Sequence, residues 1–246
     1  MQDTARATEH TGIRLPSLTS LRWFAATIVF IRHGGALLQG TSLESAYRNV
    51  GPQGASGVSF FFILSGFVLA WTYRPESPTA FYRRRFARIV PAYLVAIAVG
   101  LAYIVVFQHT QGLAYVLQAV FPATLLQSWV PDPAIYFGNS AVSWSLSTEV
   151  FFYAIFPLII APVMRLSKRG LMKLMLGAAI VSIATPLVLH PQKGGGLAFW
   201  AIYINPTYRL MEFVIGLCLA GLLIRGVRAK IPITTAAALA LSLIHI

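Results

Sequence analysis

Apolar residues in this chain gather into blocks long enough to cross a lipid bilayer, with short polar stretches between them. The blocks cover 18–38, 57–73, 89–107, 144–163, 171–190, an interrupted stretch at 197–224, and an unfinished one at 231–246. A helix rises about 1.5 Å per residue, so roughly 20 apolar residues cross the hydrocarbon layer. The pattern predicts an all-α fold: a polytopic transmembrane helical bundle of six full spans and a partial seventh. The last block stops after 16 residues without a polar flank, and the closing 242–246 resembles translated sequencing-adapter sequence. We therefore expect a polar N-terminal segment, 1–17, followed by a transmembrane domain, 18–246, that is incomplete at its C-terminus. No small-residue cleavage site follows the first block, so it is expected to stay as a signal-anchor.

Charge then orients the spans. Only 11% of residues are charged and 57% are hydrophobic, yet the formal net charge is +12, with a mean hydropathy of +0.71. The cations cluster between apolar blocks, at Arg83, Arg84, Arg85 and Arg88, at Arg165, Lys168, Arg169 and Lys173, and at Arg225, Arg228 and Lys230. Such clusters set topology and are expected in the cytoplasm, with the N-terminus. Nucleic acid is excluded as a partner; the lipid bilayer is the expected one. The apolar segment 113–129 carries Gln118 and Pro122. If it crossed, the 165–173 cluster would fall outside, so it is expected to be a re-entrant or interfacial helix on the outer side, packed on protein. Arg48 and Lys193 are then the cations left in outer loops. The single Cys218 allows no intramolecular disulfide. His109 and His190 have no ligand-like spacing to other His, Cys or acidic residues, so no metal site is expected.

Several polar groups inside the apolar blocks could carry chemistry. Arg22 and His33 are eleven positions apart, which returns a helix to within about 20° of its starting direction, some 16 Å deeper. Both then lie on one helix face. An intramembrane arginine is costly and marks function, although Arg22 and His33 can also snorkel to opposite headgroup layers. Arg84, Arg85 and Arg88 lie at the inner mouth of a span, with Pro91 expected in its first turn. They serve equally as a topology signal or as a phosphate site, one helical turn long if already helical. In Trp144-Ser145-Leu146-Ser147-Thr148-Glu149, Ser143 or Ser145 is expected to cap the helix, and Trp144 and Tyr153 fit an aromatic belt. Glu149 has no basic neighbour in sequence and needs a distant partner. By depth it belongs with His33 in the outer half, where a carboxylate can orient and charge a histidine base. Arg209 and Glu212 are spaced i, i+3 and can neutralise each other, and Asn205-Pro206 interrupts their span. In 57–67, Ser65 and Gly66 read as close-packing residues.

The order and spacing of these motifs resemble the bacterial membrane acyltransferase family 3, which includes the polysaccharide O-acetyltransferases. The resemblance runs from Leu21 to Gly221. It rests on Leu21-Arg22-Trp23 through His33, Gly57 through Gly66-Phe67, Arg84-Arg85 with Arg88 and Pro91, Trp144-Ser145-Leu146 with Glu149 and Phe152-Tyr153, and Arg209 with Glu212-Phe213 and Gly216. It implies an integral O-acyltransferase of the bacterial inner membrane. The donor would be cytoplasmic acyl-CoA, with acetyl-CoA foremost, used as co-substrate without a permanently bound cofactor. The acyl group, acetyl foremost, would pass to a hydroxyl of a glycan or other hydroxylated acceptor. By the resemblance, Arg22, Arg84, Arg85 and Arg88 bind the donor's phosphates and His33 acts at the thioester. His33 would be the general base or a transient acyl carrier, with Glu149 supporting its charge. Ser65, Trp144, Tyr153, Arg209 and Glu212 remain as acceptor-binding or structural polar residues. The chain departs from the family at Val90, at Val150-Phe151 and in length, since members usually carry about ten spans. The other classes open to this pattern are a transporter or flippase using Arg22, His33 and Glu149 as an ion or proton path, and a catalytically silent fragment.

Overall fold

A computed structural model of the chain describes residues 54–108, 112–138, 140, 142–190 and 196–227, with positions 23, 26, 27, 29–31, 33, 40–42, 44 and 47 upstream of them. Segment 1–17, Arg22, the partial span 231–246 and the loop cations Arg48 and Lys193 lie outside the described residues. From Gly54 on, the described residues form eight α-helices in order: α1 Gly54–Trp71, α2 Pro78–Tyr103, α3 Gly112–Ala123, α4 Pro133–Tyr136, α5 Ser143–Arg165, α6 Lys168–Leu189, α7 Gly196–Phe199 and α8 Pro206–Ile224. Single π-helical turns, Ile104–Gln108 and Trp200–Ile204, extend α2 and α7. No strand occurs among the described residues. Four stretches there are long and apolar enough to cross a membrane: Pro78–Phe107, Ser143–Arg165, Lys168–Leu189 and Gly196–Ile224. The protein is an all-α, multi-pass membrane bundle.

Local sequence explains where these helices start, and corrects two expectations. Ser77 caps α2, its Oγ accepting from Ala80 N at 3.3 Å, and Pro78 takes the first helical position. Pro91, expected in the first turn, therefore lies in the helix interior. The whole 83–88 cluster is consequently helical. Ser143 and Ser145 do not cap α5. Their hydroxyls donate backwards instead, to the carbonyls of Ser140 and Val142, both at 2.9 Å. Such back-bonding competes with capping in short polar side chains. Ser167 and Asn205 do cap α6 and α8.

Packing in lipid relies on close contact, because lipid tails are as apolar as the helices. The closest approach joins α1 and α8. A Cβ added at Gly66 would stand 2.0 Å from the Phe213 carbonyl oxygen, and one at Gly216 would stand 1.9 Å from that of Ile63. These two glycines let backbone lie on backbone, as the small residues of 57–67 predict. Around this seam Phe62 meets Phe152 edge-on at 5.1 Å, and Phe152 stacks on Phe213 at 4.7 Å. On α2, α6 and α7 the large apolar side chains Leu94, Val99, Ile180, Val188 and Leu197 stay more than half exposed, forming the surface available to lipid.

The contacts also give direction. Ser59 lies beside Arg209 and Phe62 beside Trp144, while further on Ser65 lies beside Glu149 and Tyr73 beside Phe156. Helices α1, α5 and α8 thus run parallel, and their C-terminal ends share one side. On that side α2 begins, and Arg225 at the end of α8 donates to the carbonyls of Met164 and Leu166 at the end of α5. The described parts of the three basic clusters therefore belong to one side of the bundle, as charge counting predicts.

Segment 113–129 divides into a short helix and irregular backbone. Helix α3 has 12 residues, about 18 Å of rise, which is too short to cross. Leu125 then takes φ +58°, a left-handed conformation that costs a non-glycine residue about 1–2 kcal/mol. The backbone groups exposed by this turn are satisfied from neighbouring helices. Tyr93 Oη donates to Pro122 O at 2.7 Å and Ser147 Oγ to Leu125 O at 2.6 Å. Gln127 Nε2 donates to Ser143 O at 3.0 Å, and Trp200 Nε1 to Ser128 O at 3.0 Å. Irregular backbone survives at membrane depth only when paired in this way.

Candidate active site

The end of α1, the following loop and the start of α2 enclose a cavity of about 430 Å³. Its cations are Arg74, Arg84 and Arg85, and Leu69, Tyr73, Phe81 and Phe156 supply apolar wall. Arg84 is ion-paired to Glu76 across the mouth and remains more than half exposed. Arg85 is drawn inward, its guanidinium carbon 5.4 Å from the Phe81 ring centroid and 5.6 Å from that of Tyr153. Cation–π contacts of this kind hold a guanidinium in place while leaving its N–H groups free to bind an anion. Arg88, one turn beyond Arg84, is exposed and does not line the cavity.

Glu149 finds its partners here. Its Oε1 accepts a hydrogen bond from Tyr153 Oη, one turn along α5, and a longer one, 3.5 Å, from Ser65 Oγ. It also acts electrostatically on Arg85. Arg85, Tyr153, Glu149 and Ser65 thus form one polar chain leading from the cavity into the helix seams. Tyr153 turns inward to this chain, so it does not belong to an aromatic belt. Trp144 is also internal, only 3% exposed, because it packs on Phe62 and Tyr203.

Arg209 and Glu212 neutralise each other as expected, with Nη1 to Oε1 at 2.6 Å. The pair is nine-tenths buried, so it needs further hydrogen bonds to offset lost hydration. The break before α8 supplies one: Arg209 Nε donates to the Tyr203 carbonyl at 2.8 Å, inside the π-turn. Ser59 Oγ accepts from Nη1 at 3.2 Å, and the Tyr203 ring lies 4.8 Å away. Glu212 Oε2 has no partner among the described residues.

His33 is helical and exposed, and upstream of it Thr27 Oγ1 donates to Trp23 O at 2.9 Å. Glu149 meets Tyr153 and Ser65, with Arg85 nearby. Thr72, Tyr73, Arg74 and Glu76 were not singled out by motif. The available signal was their position: four residues flanking the end of a span and facing a basic cluster across a short loop. No group of three or more metal-ligating side chains occurs among the described residues.

Fold and site together define a multi-pass helical membrane protein with an arginine-lined cavity at one side of the bundle. The family profile of the acyltransferase 3 family, described as an acyltransferase domain, matches residues 15–246, and the chain belongs to that family. It is 38% identical over 228 residues to acyltransferase MdmB of Streptomyces mycarofaciens, covering 87% of this chain and 59% of that protein. It is 31% identical over 196 residues to nodulation protein 10 of Rhizobium leguminosarum bv. viciae, covering 72% of this chain and 50% of the relative. It is 26% identical over 221 residues to O-acetyltransferase OatA of Staphylococcus aureus strain NCTC 8325 / PS 47, covering 84% and 34% respectively. The chain thus spans between a third and three-fifths of these relatives' lengths. No solved structure matches it.

Proposed function

We propose that the protein transfers an acyl group from cytoplasmic acyl-CoA to a hydroxyl of a glycan or other hydroxylated acceptor across a bacterial inner membrane, with its N-terminus in the cytoplasm. The observation that carries the donor assignment is the 430 Å³ cavity with Arg74, Arg84 and Arg85 in its wall. Guanidinium groups bind phosphate oxygens through paired, charge-assisted hydrogen bonds, and a nucleotide thioester brings several phosphates to such a site. Its side of the bundle holds the described basic clusters, which favour the cytoplasm. By the family resemblance Arg22 and Arg88 enter this reading as further donor-binding residues. The name of the staphylococcal relative, an O-acetyltransferase, supports an oxygen acceptor and acetyl as donor group.

In this mechanism His33 accepts the proton of the acceptor hydroxyl as its oxygen attacks the thioester carbonyl carbon. A new C–O bond forms, the C–S bond breaks, and the thiolate leaves with the proton returned by the imidazolium, giving ester and free CoA thiol. Glu149 acts through Tyr153, holding Arg85 at the cavity wall. Transfer of label from acyl-CoA to acceptor in membranes of the full-length protein tests this. His33→Ala abolishes transfer while insertion is kept; near-wild-type transfer by that variant removes His33 from the mechanism. Thioester consumption that ignores the acceptor, or none at all, removes the activity itself.

A further inference from the structure

A second opening adjoins the arginine cavity and differs from it in chemistry. It is an apolar crevice of about 60 Å³ along the seam of α2 and α5. Phe86, Ile89 and Val90 line one side at i, i+3 and i+4, and Val150 and Ala154 line the other. Arg85 belongs to the walls of both openings, and Tyr153, over which Arg85 lies, belongs to the crevice. A ligand whose phosphates sit at Arg74 and Arg84 in the first opening, and whose far end reaches past Arg85, meets the second.

Tyr82, whose Oη donates to Ala154 O at 2.9 Å, and Leu125 complete the wall, and Leu125 is independently unusual in its backbone. It occupies the left-handed position that ends α3, with φ +58°, where glycine is the ordinary choice. Its amide donates to Pro122 O at 2.9 Å and its carbonyl accepts from Ser147 Oγ at 2.6 Å, so the turn is fixed from both sides. Glycine would satisfy that turn without strain. A branched apolar side chain held there at a conformational cost points to a task for the side chain. The task available is to close the crevice.

We propose that this crevice receives the acyl chain of the donor, with Leu125 as the end wall that limits chain length. The assignment rests on the acyl-CoA reading above and adds a specificity determinant to it. A volume of about 60 Å³ holds a few water-sized groups. It suits the short tail of a propionyl or butyryl group and is too small for an octanoyl chain.

The test is competition against radiolabelled acetyl-CoA on the full-length protein in detergent, with CoA, butyryl-CoA and octanoyl-CoA as competitors. In the wild type, butyryl-CoA competes several-fold better than CoA, and octanoyl-CoA no better than CoA. Leu125→Gly, which suits the backbone and removes the wall, improves octanoyl-CoA at least tenfold relative to CoA. Ala154→Leu, which fills the crevice from α5, removes the advantage of butyryl-CoA; it carries the test if the first variant does not fold. Competitor ratios that stay within twofold of wild type in the folded variants, with CoA still competing, overturn the crevice assignment alone. That is also the result if a bilayer lipid tail fills the crevice. Failure of every CoA compound to compete overturns the donor reading, and this inference with it.

Discussion

Replacing Gly216 by alanine is the sharpest test of how this bundle is held together. The added Cβ would stand 1.9 Å from Ile63 O and 2.7 Å from Phe67 N, whereas ordinary contact begins near 3.4 Å. Both obstacles are backbone and cannot rotate away. Helices α1 and α8 must therefore separate by about 1.5 Å, judged from the 1.9 Å and 3.4 Å distances. A gap of 0.5–1 Å already forfeits a quarter to a half of the dispersion attraction between facing atoms, and overpacking costs about 1–3 kcal/mol. We take the upper figure, about 3 kcal/mol, because the same shift strains the Gly66 crossing and the Arg209–Ser59 bond. For a chain of this size each kcal/mol moves a melting midpoint by roughly 2–4 °C, giving a fall of about 6–12 °C. Cys218 is the sole cysteine and is fully buried on α8, so its reaction with a fluorogenic thiol dye during heating in detergent reports the transition. Gly177→Ala on α6 is the control, since nothing lies within 4 Å of a Cβ there. A Gly216→Ala midpoint within about 2 °C of wild type would refute backbone-on-backbone packing as the source of stability.

Three further outcomes are expected. Arg85→Gln weakens acyl-CoA binding by roughly tenfold, the scale of one charge-assisted hydrogen bond, while Arg88→Gln changes it less than twofold; equal effects in saturation binding would count against the cavity. Glu212→Ala leaves the buried Arg209 charge uncompensated and destabilises by about 3–5 kcal/mol, read as loss of folded protein in detergent chromatography, whereas Ser65→Ala changes that yield little. In a Cys218→Ala background, cysteine at Pro133 reacts with an impermeant thiol reagent added outside and cysteine at Ser77 only after permeabilisation; the reverse pattern inverts the topology.

Periodicity and charge made the helices and their alternation legible, because a bilayer demands long apolar runs and positive loops independently of tertiary detail. The close-packing role of Gly66 was readable for the same reason: a small residue inside a span has few other uses. What escaped was anything decided by a partner distant in sequence. Glu149 could be seen to need a partner, but Ser65 and Arg85 come from two other helices whose lateral order no periodicity encodes. The cap at Ser77 displaced Pro91 from the first turn because Ser-Pro is a stronger start signal than a later proline. Arg74 went unremarked because a cation beside a span normally means topology. Leu125 left no trace at all, since leucine does not advertise a left-handed turn.

The guanidinium of Arg225 bonds Gly221 O at 2.8 Å within its own helix, Met164 O at 2.5 Å and Leu166 O at 3.1 Å. Helix ends leave carbonyls unpaired, so this one side chain ties off two helix ends at once. The consequence concerns biogenesis. During synthesis the turn between α5 and α6 emerges before α8, and offers a fixed docking point to whatever follows. When Arg225 arrives it stops α8 from sliding along its axis, which sets the depth at which Gly216 meets Ile63 and Arg209 meets Ser59. A helix lacking that stop would be free to ratchet by a turn, and its glycine would face a side chain where it now faces bare backbone.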